Sequence, residues 1–418
     1  MSVKSIRVIN FKSFKELEVE LGKFNVLIGV NASGKSNFVQ IFKFMNDIAS
    51  HGLDNAVSMQ GGVEYLRNIN LGASEDFSLK IISDQEFGSI GGWAKEDFIG
   101  IKTYETTYEF GLKFRKRGLG FEITKDNLTQ KCNFVRLEER GRRKIVEKEK
   151  LGQGEIIFSR TNGKLKIDLH KPEEVPINKD DIYPRFLREE KLTPNTLLLK
   201  TPSLFMSPLE EIFSNISVYD FDPKLPKKAT PITGKAELEE DGSNLSIILK
   251  NITENKEKRR KLFNLVKDLL PFIGNLDVEK FADKSLLFKL QEIYFKNQYL
   301  PASLISDGTI NITALIVALY FEKKPLTIIE EPERNIHPYL ISKVVDMMKD
   351  ASQKKQIVVT THNPEIVKYA GLDNILLISR DKEGFSTVSR PVDKKEVRTF
   401  LKNEIGIEEL YVQNLLGV

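Results

Sequence analysis

The chain has 418 residues, 40% hydrophobic and 29% charged, which is enough to bury a sizeable core and too long for one average domain. Its 63 basic and 59 acidic side chains leave a formal charge of +4, so only a local basic patch, not the whole surface, could speak for nucleic acid. The single cysteine, Cys132, excludes an intrachain disulfide framework and a cysteine-based zinc hook, and fits a reducing, cytoplasmic setting.

The opening MSVKSIRVINFKSF alternates charged with apolar residues and lacks the apolar run of a signal peptide, so no secretion is implied. Phe24 to Ile28 reads as a short buried strand. After it comes the loop Gly29-Val30-Asn31-Ala32-Ser33-Gly34-Lys35-Ser36, then a helix whose apolar residues Phe38, Ile41, Phe42, Met45 and Ile48 follow the helical period. A glycine-bearing turn that opens a helix aims backbone N–H groups and the positive dipole end at anionic oxygens. The loop is therefore expected to cradle the phosphates of ATP, with Lys35 reaching the β- and γ-phosphates and the Ser36 hydroxyl on Mg²⁺.

From about residue 77 to 169 the pattern shifts to period two, as in Tyr104 to Phe114 and Phe121 to Thr124 around Arg117-Gly118-Leu119-Gly120, which predicts antiparallel hairpins. Between about 180 and 300 the text is helical and loop-like, broken at Pro223, Pro226 and Pro231, with a lysine/arginine helix from Glu254 to Leu270. No long heptad pattern runs through it. Leu304 to Thr309 then precedes a helix with apolar Ile312, Leu315, Ile316 and Leu319, so that Ser306 and Gly308 make either a second anion site or an ordinary cap. The apolar stretch Ile310 to Phe321 falls well short of the roughly 20 residues that a membrane span needs, and no membrane partner is expected.

Leu326 to Ile329 is a strand leading into Glu330-Glu331-Pro332-Glu333. Beside a phosphate loop, such a strand end suits Mg²⁺ held by Glu330 and water activated by Glu331 as general base; alone it would read as a solvated helix start. A helix (Pro338 to Asp350) and a strand (Gln356 to Thr360) follow, and strands alternating with helices predict a parallel sheet. His362, just past the last strand, could sense the γ-phosphate or serve a structural role, and Asn363-Pro364 starts another helix. Two phosphate-seeking loops with one acidic strand end point to a dimer that clamps each nucleotide from both subunits.

The order phosphate loop, SDG loop, EEPERNIHP and TTHNP resembles the ABC-type ATPases of the RecF/SMC-like group, most closely the soluble ATPases with an EEPE-x-x-x-HP box. The resemblance covers the first fifty residues and about the last 120, and NFKSF looks like the group's first strand. It implies an α/β ABC-type P-loop ATPase head with a mixed sheet, an antiparallel β subdomain and a helical insertion, dimerising head to tail around two ATP molecules. Carried over, Gly29 to Asn37 would be the Walker A loop, Ser306 to Thr309 the signature loop acting across the dimer, and Glu331 the catalytic glutamate. Glu330 stands where many relatives have aspartate, Asn335, Ile336 and His337 would form the D-loop, and His362 would be the switch histidine.

Residues 1–180 are thus expected to hold the N-terminal lobe, 181–300 a mainly helical insertion, and 301–418 the C-terminal lobe. Gln60, before Gly61-Gly62, is the candidate Q-loop glutamine. ISDGT in place of the transporter LSGGQ argues against a membrane-transport partner, and too few residues follow His362 for the nuclease domain of OLD-type relatives. The expected function is an ATP-hydrolysing dimerising switch in DNA repair or phage defence, working on DNA or a separate effector or nuclease protein. The alternative is a scaffold that binds ATP, scarcely hydrolyses it and holds a partner.

Overall fold

The computed structural model describes residues 2–84, 90–94, 97–115, 120–139, 145–182, 191–200, 213–281, 284–295, 298–402 and 405–416. Most of the turn predicted around Gly118 and parts of the 181–300 segment lie outside them. By its contacts the chain divides into two units, one of Met1–Leu21, Ser36–Asn215 and Arg380–Val388, the other of Gly22–Lys35, Ile216–Ser379 and Ser389–Val418.

The first unit is built on an eight-stranded antiparallel sheet. Along it run Phe14–Glu20, Val3–Phe11, Phe77–Ser83, Asp97–Phe114, Phe121–Glu139, Ile145–Thr161 and Lys164–His170, with Ile90–Ala94 beside Asp97–Phe114. The period-two segments Tyr104 to Phe114 and Phe121 to Thr124 are the facing ends of two longer strands, Asp97–Phe114 and Phe121–Glu139. In Phe77–Ser83 every second side chain is buried, because one face meets the core. Helix Lys35–His51 buries all five residues of its predicted stripe, and Val39 and Phe44 as well. Phe44 enters an aromatic cluster with Phe11 and Phe77, ring centroids 5.9 to 6.1 Å apart.

Within this unit the buried Asp126 accepts hydrogen bonds from the Tyr108 hydroxyl at 2.9 Å and the Leu198 N–H at 2.8 Å. Arg160, whose guanidinium holds the carbonyls of Thr193, Pro194 and Thr196, comes within 4.0 Å of the same carboxylate. Burial outweighs these partners and pushes the Asp126 pKa up to about 7. The folded state therefore holds a proton that the unfolded chain has released, a contribution fully present below the unfolded pKa and lost as pH rises through about 7. Between pH 6 and 8 the wild type is expected to lose roughly 1 kcal/mol more stability than Asp126→Asn. Denaturant midpoints at the two pH values measure this, and parallel curves would contradict it.

The second unit carries a parallel sheet in the order Ile216–Tyr219, Leu326–Glu330, Gln356–Thr360, Phe24–Ile28, Ile375–Arg380. Phe24–Ile28 and Gln356–Thr360 are buried at every residue, as strands covered on both faces must be. The register sets Glu330 opposite Thr360 and Thr360 opposite Leu27, so the phosphate loop, the acidic turn and the histidine leave the sheet at one edge. That is the carboxyl edge, where open α/β sheets bind ligands.

Within the expected insertion, helices Leu245–Thr253 and Lys256–Leu269 are present. The stretch after them, read as helical and loop-like, is instead an antiparallel pair of Ile273–Phe281 with Ser285–Glu292. Leu286, Phe288 and Leu290 alternate inward there, a period of two that the neighbouring helical text had masked. Both helices and this pair contribute to the second unit's core, together with helices Asp307–Tyr320 and Pro338–Ser352. Among the described residues no helix is long and apolar enough to cross a membrane.

Candidate functional site

Gly29 to Gly34 forms a tight loop in which Ala32 takes a left-handed φ of 60° and the Ser33 N–H closes onto Val30 O at 3.2 Å. Gly29 cannot carry a side chain, because a Cβ there would lie 2.2 Å from the Ile378 carbonyl oxygen and 2.7 Å from Ser33 Oγ. Lys35 is buried and donates from Nζ to the carbonyls of Gly29 at 2.8 Å and Val30 at 3.1 Å, which holds the ammonium inside the loop. Burial lowers its pKa, against the opposing pull of Glu331. Gly29 is also hydrogen-bonded through its backbone to the hydroxyl of Tyr411, on the terminal helix Ile407–Val412. Ser36 is exposed at the start of the following helix, where Asn37 donates to Ser13 Oγ at 2.7 Å.

At the neighbouring strand end, Glu330 is half-buried and Glu331 turns the chain with φ 44°, its N–H on Thr360 O at 2.9 Å. Arg334 holds Glu331 Oε2 at 3.1 Å while also pairing with Asp220 at 2.9 Å. On the other side Glu331 Oε1 lies 3.9 Å from His362 Nε2, too far for a direct hydrogen bond and near enough for one water or one phosphate oxygen. Burial and the charge of Lys35 lower the His362 pKa, more than Glu331 raises it, so the imidazole is neutral at neutral pH. Lys35, Glu331 and His362 thus share one electrostatic neighbourhood, as an anion-binding and water-activating site needs.

No cluster of three metal-ligating side chains exists among the described residues. Mg²⁺ does not require one, since it is usually held through one or two protein oxygens with phosphates and water supplying the rest. Ser306 and Gly308 stand elsewhere in the second unit. Ser306 Oγ caps its own helix, accepting the Thr309 N–H at 3.2 Å, and a Cβ on Gly308 would come 2.5 Å from Asn335 O. The SDG loop is therefore packed against the turn of Asn335, at φ 62°, whose neighbour Ile336 is buried and whose His337 caps the next helix through Nδ1. Gln60 lines a cavity of about 560 Å³ within the first unit with Lys12, Ser13, Asn37, Arg67 and Arg380, and its Oε1 is buried with no partner among the described residues.

Sequence reasoning passed over Tyr411, Arg334 and Glu333. The last two lie inside EEPER, a string whose roles separate only once the turn's geometry is known; Tyr411 carries no local signal, since its partner is hundreds of residues away.

Residues 24–368 match the family model described as "AAA domain, putative AbiEii toxin, Type IV TA system". The chain is 26% identical over 300 residues to the Septu protein PtuA of Bacillus mycoides, covering 65% of this chain and 37% of that protein, so it spans well under half of that relative. It is 44% identical over 52 residues to the DNA replication and repair protein RecF of Clostridium tetani, 12% of this chain and 14% of the other. A Helicobacter pylori ATP/GTP phosphatase is 22% identical over 384 residues, covering 90% of this chain and 88% of its own.

Proposed function

Because the chain belongs to this AAA domain family, within the ABC-type ATPases of the RecF/SMC-like group, we propose that it is an ATP-hydrolysing switch that closes as a head-to-tail homodimer. Gly29, Asn31, Ala32, Ser33, Gly34 and Asn37 would cradle the phosphates with Lys35, while Ser36 and Glu330 would hold Mg²⁺. Glu331 would take the proton of the attacking water, with neutral His362 hydrogen-bonding the γ-phosphate. Ser306 and Gly308 of one subunit would close the other's nucleotide. The observation that carries this reading is the convergence of Lys35, Glu331 and His362 at one sheet edge.

The output of the switch would be DNA or a separate effector or nuclease protein in DNA repair or phage defence. The exposed face of helix Lys256–Leu269, with Lys256, Lys258, Arg259 and Arg260, is the best-suited DNA contact, and one relative is named for DNA replication and repair. Phosphate release from wild type and Lys35→Ala, with and without duplex DNA, tests both parts. Release well above the variant, raised by DNA at low salt and not at high salt, is expected. Release equal to the variant favours the ATP-binding scaffold, for which Glu330 in place of aspartate is the motivating feature. Release indifferent to DNA removes the nucleic-acid partner.

A further inference from the structure

Between the acidic turn and the histidine loop lies a contact that the hydrolysis scheme does not use. Glu333 is only 9% exposed, and its Oε1 accepts a hydrogen bond from the Thr361 hydroxyl. Thr361 Oγ1 in turn accepts the Asn363 N–H at 2.9 Å, and the Thr361 N–H donates to Leu27 O at 3.0 Å, on the strand that runs into the phosphate loop. The second carboxyl oxygen, Oε2, is buried with no partner among the described residues. A carboxyl kept in such a place costs stability, and burial pushes its pKa upward against the Thr361 hydrogen bond. Folding alone would be better served by an apolar side chain of similar size.

What the contact achieves is geometric. Turn and loop are joined at two points, by the Glu331 N–H on Thr360 O and by Glu333 on Thr361, and His362 follows directly. No direct hydrogen bond holds His362 to Glu331: Nε2 of the one and Oε1 of the other are 3.9 Å apart. Their separation is therefore set by the two junctions. We propose that Glu333 is a positioning residue for hydrolysis, fixing His362 relative to Glu331 through the Thr361 hydroxyl. This rests on the reading of Glu331 as general base.

ATP turnover and ATP affinity of full-length variants test it. Thr361→Val is expected to lower kcat about tenfold with affinity within about twofold, since displacements of an ångström or less already cost rate at this scale. Thr361→Ser restores the hydroxyl and should restore kcat, and Glu333→Gln, whose amide oxygen can still accept, should stay near wild type. Glu333→Ala should match Thr361→Val, and the double variant should lose no more than either single one. Wild-type kcat in Thr361→Val, multiplied losses in the double variant, or affinity falling in step with kcat would each overturn the proposal. Should Glu333→Ala not fold, the serine and valine pair at 361 decides alone. Glu331→Gln separates the two levels: if it still turns over, the base assignment falls and takes this inference with it; if it is inactive while Thr361→Val is unaffected, only the positioning role falls.

Discussion

Replacing Glu331 with glutamine is expected to lower ATP turnover by about 100-fold or more while leaving nucleotide binding intact. Glutamine keeps the size of the side chain and one acceptor oxygen, but it cannot take a proton, and general-base catalysis is typically worth two to four orders of magnitude. A 100-fold loss corresponds to roughly 3 kcal/mol of transition-state stabilisation. Binding survives because the cradle is a different part of the chain: Lys35 is held by the carbonyls of Gly29 and Val30, not by Glu331. If ATP closes two subunits and only hydrolysis reopens them, the variant should accumulate dimers on size-exclusion chromatography with Mg²⁺ and ATP. Wild-type turnover in the variant would sink the base assignment. A variant that is inactive and still monomeric would sink the head-to-tail dimer and leave hydrolysis standing.

The parts of the site legible in the sequence are those encoded by consecutive residues. Phe24 to Ile28 followed by GVNASGKS announces both a strand and a phosphate loop, and Leu326 to Glu330 and Gln356 to Thr360 announce strand ends, because a buried parallel strand is written as an unbroken apolar run. Their common edge then follows from the alternation with helices. Contacts between distant residues are not written that way. The Ile273–Phe281 and Ser285–Glu292 pair was hidden because short amphipathic text fits either period, and its choice of strand depends on a partner across the hairpin. Phe44, three residues after Ile41 and four before Ile48, shares the helix's apolar face, but its partners Phe11 and Phe77 lie on strands before and after it in the chain, and no local pattern names them. Gly308 looked like half of an anion site, and the structure adds a second demand on it, since the Asn335 carbonyl occupies the space of its missing Cβ.

Gly29→Ala is expected to reduce ATP affinity roughly tenfold, even though the change adds a single methyl group. The new Cβ would be 2.2 Å from the Ile378 carbonyl oxygen, a backbone atom of the strand Ile375–Arg380 that pairs with Phe24–Ile28 and cannot swing aside as a side chain would. Nor can Gly29 itself retreat, since its backbone is bonded to Tyr411 and its carbonyl receives Lys35 Nζ. The strain must go into the loop, and overpacking of this kind typically costs about 1 to 3 kcal/mol. About 1.4 kcal/mol, within that range, is already a tenfold change in an equilibrium constant at the site that must wrap the phosphates. Titration with a fluorescent ATP analogue measures the affinity, and a thermal melt of the same sample shows whether the second unit has kept its fold. Wild-type affinity in a folded variant would mean that the loop adapts to a Cβ, and that the close approach of Ile378 is not what requires glycine at this position.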